Sequence, residues 1–221
     1  MGTITRTFAN NITTSGVFKP TAFNDASFDN VTAVPGGALP AGGNMVLLST
    51  QTASASASIS FTTGIDSTYK EYMFIFNNIH PASNSNLQFQ TSTDGGSSYG
   101  VTATTTFFYA SHQENDGEAI LAYLTSRDQA QSTDFIYLTG DNMEASASDA
   151  SVSGYLHLFE PSSTTFVKHY MSNTDHVADG PYQQNNYSAG YFNTTSAINA
   201  VQFKMTTGNI DDGTIQMFGI L

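Results

Sequence analysis

The chain has 221 residues, 39% of them hydrophobic, 12% aromatic and only 11% charged, with six basic against eighteen acidic residues for a formal charge of −12. An anionic chain of this kind weighs against nucleic-acid binding, which rests on cationic contacts to phosphate, and against docking on anionic lipid. It is too aromatic and too weakly charged to be disordered. The absence of cysteine excludes disulfides and thiolate metal sites.

Met1–Val34 spaces its apolar residues widely in a Thr/Asn/Ser background and carries Arg6 and Lys19 against Asp25 and Asp29. The entire −12 therefore resides in the remainder. Phe8, Ile12, Phe18, Phe23 and Phe28 are too far apart to make a core of their own. They suit an extended docking arm, residues 1–34, that lays anchors into another surface. A pair of edge strands of the main domain is the competing reading. Residues 35–44, with Pro35-Gly36-Gly37-Ala38-Leu39-Pro40, read as a Gly/Pro linker, and residues 45–221 as the body. Met1–Asn10 has no apolar signal region and no window is apolar enough to span a bilayer, so neither a signal peptide nor a transmembrane helix is expected.

The body opens with strands at Met45–Thr50 and Ser58–Phe61. Glu71–Ile79 places Tyr72, Phe74 and Phe76 on one face of a strand and Met73 and Ile75 on the other, which predicts a central strand covered on both sides. Asn86–Thr93 alternates, with Leu87 and Phe89 inward and Gln88 and Gln90 outward. Asp94-Gly95-Gly96 reads as a tight turn, with Val101–Ala110 as the paired strand. Glu118–Arg127, with Ile120, Leu121 and Leu124 on one face, is the only candidate helix. Further strands are expected at Asp134–Thr139, Ser151–Phe159, Thr165–Met171, Tyr187–Phe192, Ala197–Met205 and Thr214–Ile220. Ten or so strands separated by Gly/Asn/Asp/Ser turns predict an all-β body, a jelly-roll-like antiparallel β-sandwich.

Candidate chemistry is sparse. Gly96-Ser97-Ser98-Tyr99-Gly100 has the G-x-S-x-G spacing of a nucleophile elbow, but that elbow must join a strand to a helix, and strand-like residues follow here. His157 and His169 lie on predicted strands and could meet across a hairpin. The five histidines show no local zinc spacing. Asn209-Ile210-Asp211-Asp212-Gly213 could offer oxygens to Ca²⁺ or simply cap a turn. Tyr182, Asn185, Asn186 and Tyr187 combine aromatic rings with amides, as a glycan contact would, though an ordinary loop has the same composition. No catalytic residue, cofactor or metal is assigned.

Several stretches resemble virion structural proteins of marine tailed bacteriophages: Met1–Val17, Gly64–Tyr72, Asn77–Pro81, Ser92–Tyr99, Pro161–His169, Asn193–Ala200, Met205–Ile210 and Gly213–Ile215. These are turns and strand ends, so the resemblance implies a particle component and no catalytic position. It implies a non-enzymatic protein on the exterior of the virion, a capsid decoration or a head- or tail-fibre module, with other capsid or tail proteins as partners, a homotrimeric state and a host-surface glycan as a further partner. Met45–Thr50, Ser151–Phe159 and Ala197–Met205, nearly free of charge, are the expected contact faces of a trimer. The alternative from a different class is a free carbohydrate-binding, lectin-like module, and a third is a glycan-degrading enzyme.

Overall fold

The computed structural model describes residues 45–180 and 182–221. The arm anchors Phe8, Ile12, Phe18, Phe23 and Phe28 and the 35–44 linker lie outside the described residues. No helix is present among those described.

Eight strands make the frame: β1 (Met45–Thr52), β2 (Ile59–Phe61), β3 (Glu71–Pro81), β4 (Leu87–Ser92), β8 (Ile136–Tyr137), β9 (Val152–Phe159), β12 (Ala200–Met205) and β13 (Ile210–Ile220). One sheet begins β1-β13-β3-β9, and the facing sheet runs β2-β12-β4-β8. Renumbered along the chain, the frame reads first-eighth-third-sixth over second-seventh-fourth-fifth. That is the double Greek-key winding of a jelly roll. All pairings between strands are antiparallel.

Two insertions widen the first sheet. One, after β4, supplies β5 (Ala103–Gln113), β6 (Ala119–Tyr123) and β7 (Gln129–Ser132); the other, after β9, supplies β10 (Lys168–Val177) and β11 (Tyr182–Phe192). The sheet continues from β9 through β10, β11 and β5 to β6, with β7 also on β5. The core lies between the two sheets. Tyr72, Phe74 and Phe76 of β3 are buried there with Phe61, Phe89 and Phe203 from the facing sheet. Phe203 has the rings of Phe61, Phe74, Phe76 and Phe89 around it, its centroid 5.2 Å from that of Phe76. Phe61 and Phe76 meet it edge-to-face while Phe89 stacks, and such aromatic pairs add to the burial of area itself.

Several expectations are corrected. β3 is central, between β13 and β9, but Met73 and Ile75 on its second face are only half-buried, because nothing among the described residues covers that side. Glu118–Arg127 is not a helix. β6 pairs with β5 and a turn follows, since an isolated stripe of three apolar residues had no helix partner, whereas β5 offered a ladder for its backbone. The Asp94–Gly96 turn does not close a hairpin: β4 belongs to the facing sheet and β5 to the widened one, so the turn carries the chain between sheets. Gln88 and Gln90 are buried, not outward. The Thr133–Tyr137 segment covers them, and Gln90 Nε2 donates to the carbonyls of Thr133 and Asp134 at 3.2 and 2.8 Å. Tyr182–Tyr187 is not a loop but the first half of β11.

Candidate functional site

Widening the sheet has opposite consequences for its two faces. On the inner face, β10, β11 and β5 extend past the apolar core, so their inward side chains are mostly polar: Ser172, Thr174, His176, Gln184, Asn186, Ser188 and Ser111 are all buried. Buried polar groups require partners, and the segment after β8 supplies them. Asn186 Oδ1 accepts from Gly140 N at 2.9 Å, and Gln184 Oε1 accepts from Asp141 N at 2.9 Å while its Nε2 donates to Asp141 Oδ2 at 2.8 Å. Thr174 Oγ1 donates to Leu138 O at 2.5 Å. Asn86 Nδ2 donates to Asp141 O at 2.7 Å, and Arg127 Nε to Gly140 O at 2.8 Å with its guanidinium over the Tyr137 ring.

His176 sits within this network, with Asn186 Nδ2 3.0 Å from its Nδ1 and its buried Nε2 without a partner among the described residues. Burial holds its imidazole down at about 4, against a weaker opposing pull from the Asp141 carboxylate. A neutral ring accepts from Asn186 at Nδ1 and carries its proton on Nε2, the nitrogen without a described partner. Lys168 is likewise buried, its amine donating to Thr194 O at 3.1 Å, and desolvation lowers its pKa.

The outer face is the candidate site. The register aligns Ile75, Tyr155, Asn173, Tyr187, Phe108 and Tyr123 in one row across β3, β9, β10, β11, β5 and β6. The next row holds Met73, His157, Met171, Ala189 and Thr106. Phe108 and Tyr187 stack with centroids 4.9 Å apart and planes 8° apart, each about two-fifths exposed. Tyr155 is equally exposed and Met171 more so. Asn185 Oδ1 accepts from Asn173 Nδ2 at 3.0 Å. Beside them, Ala189 and Gly190 floor a shallow depression walled by Phe159, His169, Met171 and Tyr191. These six strands carry only two carboxylates of the chain's eighteen, Glu71 and Asp175. Each is hydrogen-bonded, Glu71 to His157 and Asp175 to Gln183.

Strand alternation divides the proposed glycan contacts. Asn185 and Tyr187 lie on the outer face, whereas Asn186 is buried in the inner network. Tyr182 is half-buried, its hydroxyl accepting from Gln113 Nε2 at 2.6 Å. Phe108, Tyr155 and Met171, which complete the face, were not signalled by the sequence, because only the cross-strand register puts them beside Tyr187.

The remaining candidates are dispersed. Ser98 Oγ donates to Asp94 Oδ2 at 2.6 Å in a loop between strands, not at a strand-to-helix elbow. Ser92 and Ser98, through these hydrogen bonds, hold the Asp94 carboxyl down at about 2. His157 stands opposite Met171, not His169, and bonds Glu71 instead. His169 lies against the Tyr191 ring. Asp211 and Asp212 line an open polar depression with His80 and Asp149, but Asp212 Oδ1 accepts from Gly213 N at 2.7 Å. No group of three metal-ligating side chains occurs among the described residues. No protein-family model matches the chain, and no curated protein matches it.

Proposed function

We propose that the chain is a non-enzymatic structural protein of a tailed-phage virion, attached to the particle through its N-terminal arm and displaying the jelly roll outward as a capsid decoration or fibre module. One observation supports this reading above the others. A broad, nearly uncharged aromatic face, spanning β3 to β6, is left uncovered by the other described residues, on a body that carries the whole −12 charge. Exposed apolar patches of this extent mark interaction surfaces. The sequence resemblance to phage structural proteins supplies the particle context. Immunogold labelling of intact virions with antibody raised against residues 45–221 tests it: label on the particle exterior is the expected result, and unlabelled particles overturn the proposal.

The second reading, a carbohydrate-binding module, is favoured by the exposed Tyr187–Phe108 pair beside Asn185 and Asn173. Aromatic rings next to amides suit the apolar faces and hydroxyls of a neutral sugar. Binding of the chain to immobilised glycans that is lost in Tyr187→Ala would establish it. A displayed virion protein could also carry such a site, so the two readings are compatible.

A further inference from the structure

We infer that β6 is a self-association edge, along which two copies of this chain join by antiparallel β6–β6 pairing about a twofold axis. An unpaired edge strand is a template for another strand, and folded proteins usually blunt it by brevity, bulges, proline or charge. The other edges here are blunted. β2 has three residues and β8 two, β1 is interrupted by a register shift between Leu47 and Ser49, and the four-residue β7 pairs irregularly with β5. β6 is not. Its sequence Ala119-Ile120-Leu121-Ala122-Tyr123 has no charge and no proline, and it pairs with β5 in unbroken register. Leu121 is 77% exposed and Tyr123 50%.

The direction of its free hydrogen-bonding groups follows from the ladder. Gln113 N donates to Glu118 O at 2.9 Å, and Leu124 N donates to Phe107 O at 3.0 Å, at the two ends of the pairing. In an antiparallel pair every second residue bonds its neighbour. Ile120 and Ala122 therefore turn their amides and carbonyls to β5, and Ala119, Leu121 and Tyr123 turn theirs outward. No backbone partner for those three outward sets occurs among the described residues.

A second copy fits that edge in one register. With Leu121 opposite the partner's Leu121, Ala119 faces the partner's Tyr123, and every outward donor and acceptor on both strands is paired. Side-chain sizes then complement one another: tyrosine meets alanine, Ile120 meets the partner's Ala122, and the leucines meet at the axis. Charge selects the antiparallel direction. Glu114, Asp116 and Glu118 cluster at one end of the β5–β6 hairpin. Antiparallel pairing sets them beside the partner's Leu124, Thr125 and Ser126, an end that carries one carboxylate, Asp128 on the Tyr123 hydroxyl, and one guanidinium, Arg127. Parallel pairing would set carboxylates against carboxylates, at a cost on a chain of net charge −12. The contact is isologous and closes on itself as a dimer.

The test is sedimentation and light scattering of the full-length chain from about 1 to about 200 μM, alongside two variants. Leu121→Pro removes an outward amide without touching the bonds to β5, and Leu121→Lys places a charge on the axis. A concentration-dependent dimer is expected, with each variant weakening it by about tenfold or more while circular dichroism and melting temperature hold. If Leu121→Pro disturbs the fold, Leu121→Lys decides. In amide exchange, Ala119, Leu121 and Tyr123 should gain protection as concentration rises. A monomer at every concentration, a trimer, or a dimer indifferent to both variants would overturn the inference.

Discussion

Phe74 of β3 and Phe203 of β12 face each other across the sandwich with ring centroids 5.3 Å apart. This contact ties the two sheets together at the centre of the core, since both side chains are fully buried and both rings also touch Phe61.

Removing either ring should be among the most damaging single changes in the protein. Phe74→Ala and Phe203→Ala are each expected to cost about 3–5 kcal/mol, the transfer term plus the cavity left behind. Ile75→Ala, on the half-buried face of the same strand, should cost about 2 kcal/mol or less. Denaturant titration of the three variants checks the order. Equal losses at positions 74 and 75 would contradict the one-sided burial of β3.

His176 gives stability a pH dependence whose sign is fixed by its burial. Its folded pKa of about 4 lies below the ordinary 6.5, so between these values the unfolded chain binds the proton more readily. Stability should be fully present above about pH 6.5, fall by about 3 kcal/mol as pH drops to about 4, and receive no further loss from this group below that. Asp94, with its carboxyl held at about 2, acts in a separate window, and its contribution is lost only as pH falls from the ordinary carboxylate value of 3.8 towards that figure. Melts between pH 4 and 7 on wild type and His176→Leu isolate the histidine. The variant's curve should be flatter, and an unchanged slope would exclude His176 as the source.

The Phe108–Tyr187 stack on the outer face should be coupled but of modest weight. A double-mutant cycle with Phe108→Ala and Tyr187→Ala is expected to return about 0.5–1.5 kcal/mol. A coupling energy near zero would mean that the two rings do not hold each other in solution. The single variants should melt close to wild type, which makes them usable probes of binding at this face.

Gly154 permits the close approach of β9 to its sheet neighbour β10, where it stands opposite Thr174. Its φ is +152°, and a Cβ there would lie 2.3 Å from the backbone oxygen of Asn173 and 2.7 Å from Thr174 Cα. Gly154→Ala should therefore destabilise by more than about 1 kcal/mol, because the obstructing atoms are main chain and cannot rotate away. A neutral substitution would show that the strands part easily at this point.

What the sequence by itself determined is local: an all-β chain, most strand positions, and the buried trio Tyr72, Phe74 and Phe76. Period-two patterning is written in successive residues and needs no knowledge of neighbours. It was silent at Gln183-Gln184-Asn185-Asn186, where four polar amides in succession show no alternation and read as a loop. Only the tertiary structure decided that the amides Gln184 and Asn186 point inward, because the segment Leu138–Asp141 crosses that face and supplies the backbone partners that make their burial tolerable. The strand state of Ala119–Tyr123 was settled the same way: its short apolar run fits a helix stripe or a strand equally well, and the free ladder of β5, distant in composition but adjacent in space, chose the strand. The aromatic row from Tyr155 to Tyr123 likewise joins residues from five strands through register alone, and register is a property of pairing between segments that no single segment encodes.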